Sequence, residues 1–200
     1  MNAAAAVEVR QHILDTAMPI LLGKGFSAVG LNEILAAAGV PKGSFYHYFG
    51  SKEAFGEALL TSYFAEYAER LDDLLVRQPG TAAQRLMRYW DDWRMIQCAD
   101  DPVGKCLVVK LGAEVSDLSA AMRDVLRRGT NAIVSRIAAC IEEGRADGSL
   151  AGVSDAMTTA TMLYELWLGA TLLEKMHRDR RPLDTAMTTT RILLNLAPGG

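Results

Sequence analysis

Residues 30–52 read Gly-Leu-Asn-Glu-Ile-Leu-Ala-Ala-Ala-Gly-Val-Pro-Lys-Gly-Ser-Phe-Tyr-His-Tyr-Phe-Gly-Ser-Lys. Two short helices are legible in this stretch. Leu31, Ile34, Leu35 and Ala38 fall on one side of a helix over 31–38, and Gly39 stops it, because glycine accepts the left-handed backbone that closes a helix. Pro41 suits the first turn of the next helix, where its missing N–H is not needed, and Gly50 follows the last turn at Phe49. At about 100° per residue, Phe45 and Phe49 share one face of that helix, Gly43 and His47 lie nearly opposite, and Ser44 and Tyr46 stand at the edges. Two such helices joined through Gly39-Val40 fit a helix-turn-helix. The outward face has what a helix entering a DNA groove needs: Gly43 lets a backbone come close, and Ser44, Tyr46 and His47 can reach base edges or phosphates. Lys42 and Lys52 flank it and can neutralise phosphates. On spacing alone, a helical hairpin whose aromatic residues merely pack remains the alternative.

Working outward, helical periodicity continues in both directions. Val9, Ile13, Ala17, Ile20 and Leu21 form one face of a helix over 5–22, closed by Gly23 and Gly25. Ser51 can cap a long helix over 52–76, broken at Pro79-Gly80, and Glu53 suits its positive end. Further helices are expected over 81–97, 105–114, 118–145, 155–178 and 182–196, with a break at Asp100-Asp101-Pro102-Val103-Gly104. No alternating strand pattern and no internal repeat occurs. The expected fold is all-α with nine helices: a three-helix helix-turn-helix domain at 1–52 and a helical regulatory and dimerisation domain at 53–200.

The 200 residues are 50% hydrophobic and 22% charged, which is ordinary globular usage and excludes a disordered or fibrous chain. Mean hydropathy is +0.09, and no run of 18 or more uncharged apolar residues suggests a membrane span. The opening residues have no apolar core behind a basic start, so no signal peptide is expected. A cytoplasmic location without membrane attachment follows as the expectation. The net charge of −3 does not itself suggest a nucleic-acid partner. Residues 1–52 carry +1 against −4 for the remainder, an asymmetry that permits one. No dinucleotide, phosphate-loop, nucleophile-elbow or zinc-protease motif is present. His12, His47 and His177 lie on separate elements, so no enzyme activity, cofactor or metal is expected.

The segment from Val9 to Lys52 resembles the TetR family of bacterial transcriptional repressors. The resemblance rests on Gly25-Phe26, Leu31-Asn32-Glu33-Ile34, Ala38-Gly39-Val40 and above all Gly43-Ser44-Phe45-Tyr46-His47-Tyr48-Phe49 followed by Ser51-Lys52. It implies that the third helix enters the major groove of operator DNA. The positions of Lys42, Gly43, Ser44, Tyr46, His47 and Tyr48 would touch DNA, and that of Lys52 would contact phosphate. Gly30 departs from the capping threonine or serine of many members. A further resemblance, to the electrophile- and oxidant-sensing NemR branch, rests on Ser51-Lys52-Glu53-Ala54-Phe55-Gly56, Cys106-Leu107-Val108-Val109-Lys110-Leu111, Ala113-Glu114-Val115, Asp117-Leu118-Ser119 and Leu166-Trp167-Leu168-Gly169-Ala170. It implies that Cys106 senses and that Lys175 takes part.

Of the three cysteines, Cys106 is also the candidate on chemical grounds. A place in the first turn of a helix, with Lys105 adjacent and Lys110 four residues on, favours a thiolate. Reaction faster than at Cys98 and Cys140 is therefore expected, and an amine such as Lys175 could capture a sulfenic acid. Cys140 shares a face with Ile133, Ile137 and Ile141 and reads as core, and Cys98 reads as packing. Tyr89, Trp93, Met122, Tyr164 and Trp167 could line a cavity for a small apolar ligand, though each reads better as core. Met157–Leu173 is apolar on nearly every side, which predicts a homodimer through the last two helices. The expected function is repression relieved by modification of Cys106 with an electrophile or oxidant. Release by a reversible apolar inducer is the alternative, and a helical binding module or enzyme without DNA is the alternative of another class.

Overall fold

A computed structural model describes residues 3–98 and 105–197, and the expected break at 100–104 lies outside the described residues. Nine α-helices are present among them: α1 Ala3–Lys24, α2 Leu31–Ala38, α3 Lys42–Phe49, α4 Lys52–Asp72, α5 Ala82–Cys98, α6 Leu107–Leu118, α7 Ala120–Ala146, α8 Ala156–His177 and α9 Arg181–Leu193. No described residue is in a strand. The expected helices are all found. The largest displacement is α6, which starts two residues later and ends four residues later than the periodicity over 105–114 indicated.

The helix expected to run unbroken from 52 to 76 changes geometry near its end. α4 is followed directly by a π-helical turn, Asp73–Arg77, in which Gln78 N–H donates to the Asp73 carbonyl. Pro79 has no N–H to offer the Leu75 carbonyl four residues earlier, and Arg85 supplies a donor in its place. Its buried guanidinium donates to the Leu75 carbonyl at 2.7 Å and to the Gly80 carbonyl at 2.7 Å, and pairs with Glu143 at 2.6 Å. Carbonyls withdrawn from the helical ladder are thus satisfied from a side chain, as burial requires.

The described residues divide into two compact units, one drawn from 1–65 and 101–129, the other from 66–100 and 130–200. This division differs from the expected boundary at 52/53, because α6 and the start of α7 share a core with the first three helices. That core contains Ile13, Leu21, Val29, Ile34, Phe45, Phe55, Leu107, Leu111 and Val115. Gly56 is tightly enclosed in it: a Cβ there would stand 2.5 Å from Met122 Sδ and 2.8 Å from the Phe26 ring. α2 ends on Gly39 at φ +65°, with Val40 N–H bonded to Leu35 O and Gly39 N–H to Ala36 O. That closure turns the chain into Pro41 and α3.

The second unit is built on aromatic side chains. Trp90 of α5 stacks on Trp167 of α8, with ring centroids 5.0 Å apart. The Trp93 and Trp167 indole N–H groups donate to Thr171 and Thr190, each at 2.9 Å. Tyr89, Trp93, Tyr164 and Trp167 are buried, so they are core side chains in this unit. Met122 is buried in the first unit.

Candidate nucleic-acid interface

α3 presents the face that its spacing indicated. Phe45 and Phe49 are buried with their rings 5.1 Å apart, and each lies within about van der Waals reach of Phe55, at centroid distances of 5.3 and 5.1 Å. Lys42, Gly43, Tyr46 and His47 are exposed, while Ser44 and Tyr48 are half-buried. A Cβ at Gly43 would meet nothing within 4 Å. Glycine costs about 1 kcal/mol relative to alanine inside a helix, and no packing in this unit requires it. Its bare backbone is an opening for close approach from outside. Neither Gly30 before α2 nor Pro41 before α3 makes a side-chain cap hydrogen bond. First-turn N–H groups left this way, at the positive ends of two helices, suit phosphate oxygens.

Lys52 has partners within its own unit. Its ammonium donates to the Phe26 carbonyl at 3.0 Å and the Val29 carbonyl at 2.6 Å, and lies 4.9 Å from the Phe26 ring centroid. Two of its three N–H bonds serve the loop between α1 and α2, leaving one for a phosphate. On the other side of the same loop, Glu114 of α6 accepts the Phe26 and Ser27 backbone N–H groups at 3.0 and 2.6 Å. In the sequence Glu114 figures only in the Ala113-Glu114-Val115 stretch of the resemblance, with no role of its own. It carries no local signal, because its partners are 88 and 87 residues away.

Cys106 is the N-cap of α6, not a residue of its first turn, and is 8% exposed. Burial pushes its thiol up to about 11, outweighing hydrogen bonds from the Val109 and Val108 backbone N–H groups. The expectation of a favoured thiolate is therefore reversed. The helix end does act on the sulfur as expected, but desolvation is larger, and Lys110 is turned to the Gly23 carbonyl at 3.1 Å. Cys140 is buried and also pushed up to about 11 by burial, against the opposing Arg85. Cys98 is the exposed cysteine. Desolvation raises it and Arg180 opposes, beside a hollow of about 270 Å³ lined by Arg94, Met95, Cys98 and Arg180. Lys175 is exposed in the last turn of α8, and it belongs to the second unit, whereas Cys106 belongs to the first. Among the described residues no group of three His, Cys, Asp or Glu could hold a metal ion, and no helix is long and apolar enough to cross a membrane.

Comparison with known proteins matches residues 13–59 to the model for bacterial regulatory proteins of the tetR family. Residues 82–190 match the tetracyclin repressor-like C-terminal domain. The chain belongs to the TetR family. It is 38% identical to the HTH-type transcriptional repressor NemR of Escherichia coli (strain K12) over 97% of this chain and 98% of that protein. It is 34% identical to the HTH-type transcriptional repressor DhaR of Mycobacterium sp. (strain GP1) over 92% of this chain and 91% of that one. The crystal structure of reduced E. coli NemR superposes with a TM-score of 0.85 at 40% identity, covering 92% of this chain and 96% of that one. As a TetR family member the protein is a transcriptional regulator of the NemR type, all-α, with an N-terminal helix-turn-helix.

Proposed function

We propose that this TetR family repressor works in the cytoplasm, reads its operator through Lys42, Gly43, Ser44, Tyr46, His47 and Tyr48, and is released when the Cys106 thiol is modified. The observation that carries the reading is the place of Cys106: it starts α6, and α6 shares one core with α2 and α3. The similar NemR structure being that of a reduced form supports thiol chemistry. With an alkyl halide the sulfur forms an S–C bond, the halide leaves and the thiol proton goes to solvent. With a peroxide the sulfur takes one oxygen, the O–O bond breaks, and a sulfenic acid and water, or an alcohol, result. Either product enlarges a group that has almost no free surface. The effector must favour the weakly binding state over the strongly binding one for release to follow.

The repressor acts as a homodimer through α8 and α9. Met157, Met162, Leu172, Leu173, Met176 and Ile192 are exposed on them, and a groove of about 550 Å³ between the two helices is lined by Leu166, Gly169, Ala170, Leu173 and Ala186, among others. Two reading heads related by a two-fold axis match a palindromic site. A monomer by light scattering at micromolar concentration would contradict the dimer.

The functional test is a mobility shift with DNA upstream of the protein's own gene, with and without an alkylating agent. Release of the parent protein but not of Cys106→Ser supports the reading, and release of both rejects it. One observation favours the second reading, a reversible apolar inducer bearing a hydrogen-bond acceptor: the indole N–H of fully buried Trp90 has no acceptor among the described residues. That reading predicts that Cys106→Ser is still released.

A further inference from the structure

α6 is tied to the helix-turn-helix at the end remote from Cys106. Glu114 lies about 12 Å along the helix axis from the N-cap, at about 1.5 Å per residue. Its two carboxylate oxygens take the Phe26 and Ser27 backbone N–H groups. Gly25 makes room for this: a Cβ there would stand 3.2 Å from Glu114 Oε2, and its φ of +98° is one that side chains disfavour. One turn earlier on α6, Lys110 holds the Gly23 carbonyl at the end of α1. From the opposite side Lys52 holds the Phe26 and Val29 carbonyls. The peptide groups leading into α2 are thus gripped between a carboxylate on α6 and an ammonium on α4. Burial works to raise the Glu114 carboxyl, yet the Ser27 and Phe26 donors outweigh it and hold it below the ordinary value.

Leu107, Leu111 and Val115 are buried along one face of α6 and share one core. Cys106 at its start is nearly enclosed, so a group added to the sulfur must displace the first turn. We infer that Glu114 is the coupling residue of this repressor: by holding the Phe26 and Ser27 N–H groups it makes the position of the loop before α2 depend on the position of α6. The inference rests on the Cys106 reading above and names the path it takes to the DNA-reading helices. Val29, Ile34 and Leu35 pack in the same core as Phe45, so the loop and α2 cannot move without α3.

The test uses the full chain carrying Cys98→Ser and Cys140→Ala, so that iodoacetamide labels Cys106 alone. The S–C bond forms, iodide leaves and the proton goes to solvent, and intact mass confirms the label. Operator affinity is measured before and after labelling, at one salt concentration, with Glu114 and with Glu114→Gln. Glutamine keeps the size and one acceptor but turns an NH2 group toward the second backbone N–H. The Glu114 protein is expected to lose about tenfold or more in affinity on labelling, and the Glu114→Gln protein less than about threefold. A merely structural role would weaken both forms of Glu114→Gln alike and leave the ratio at the parent value, which overturns the coupling. A ratio of one in the Glu114 protein itself means that the Cys106 reading has failed, and the coupling falls with it. Hydrogen exchange in the labelled Glu114 protein needs no variant at position 114: faster exchange of the Phe26 and Ser27 amides supports the coupling, and unchanged protection overturns it.

Discussion

The three thiols should be alkylated in an order opposite to the one that helix position and neighbouring lysines indicate. Cys106 and Cys140 are each pushed up to about 11 from an ordinary value of 9.0. At neutral pH such a rise leaves about a hundredth of the usual thiolate, one factor of ten for each pH unit. A more basic thiolate is the better nucleophile, and with a Brønsted slope of about 0.4–0.5 this returns roughly tenfold. Ionisation alone therefore slows Cys106 about tenfold against a free thiol, and its 8% exposure slows it further. Cys98 is exposed; desolvation raises it with help from Glu174 and Asp184, and Arg180 and Arg94 oppose the rise. The expected result with limiting iodoacetamide at pH 7.5, read by peptide mass spectrometry over time, is Cys98 labelled first by a factor of at least about ten, with Cys106 and Cys140 trailing. In urea the three rates should converge. Cys106 leading in the folded protein would refute the argument that desolvation outweighs the helix end at that sulfur.

Further outcomes follow from the same geometry. His47→Ala and Tyr46→Ala should weaken operator binding with little loss on unrelated DNA, by about 1–3 kcal/mol each, with unchanged melting; equal loss on both DNAs in competition binding removes these side chains from base reading. Gly43→Ala should raise thermal stability, by up to about 1 kcal/mol, while lowering operator affinity, so a rise in both rejects close approach at this position. Lys52→Met should destabilise by about 1.5–3 kcal/mol, since two carbonyls lose a charged donor, and denaturant titration reporting no loss would return Lys52 to a purely phosphate role. Stability should also fall in alkali. Cys106 and Cys140 are raised on folding, so their contribution is complete below the unfolded value near 9.0 and is lost as pH passes the folded value of about 11. Thermal melts between those limits should show the decline, and Cys140→Ala should lessen it.

The helices and the α3 face were legible in the sequence because both depend on neighbours within a turn. Apolar residues three and four apart, Gly39 and Gly50 at the ends, and Phe45 and Phe49 opposite His47 involve no partner more than a few residues away. The same local rules placed Cys106 at a helix start and Ser51 as a cap, which the Ser51 hydroxyl confirms by accepting Ala54 N–H at 3.0 Å. Tertiary structure decided what those rules could not reach. Lys52 reads as a free cation beside a DNA-reading helix, and folding turns it onto carbonyls 26 and 23 residues away. Cys106 reads as an activated thiol, and folding encloses it, so desolvation outweighs the helix end. The helix from 52 reads as continuous to 76, and in the fold a π turn follows α4 with its Leu75 carbonyl accepting from the Arg85 guanidinium. Glu114 reads as an ordinary helical carboxylate until the loop at Phe26 and Ser27 arrives beside it. Periodicity and capping are short-range and survive in one dimension; burial and long-range hydrogen bonding depend on which distant segments meet, and those enclose Cys106 and set the partners of Lys52 and Glu114.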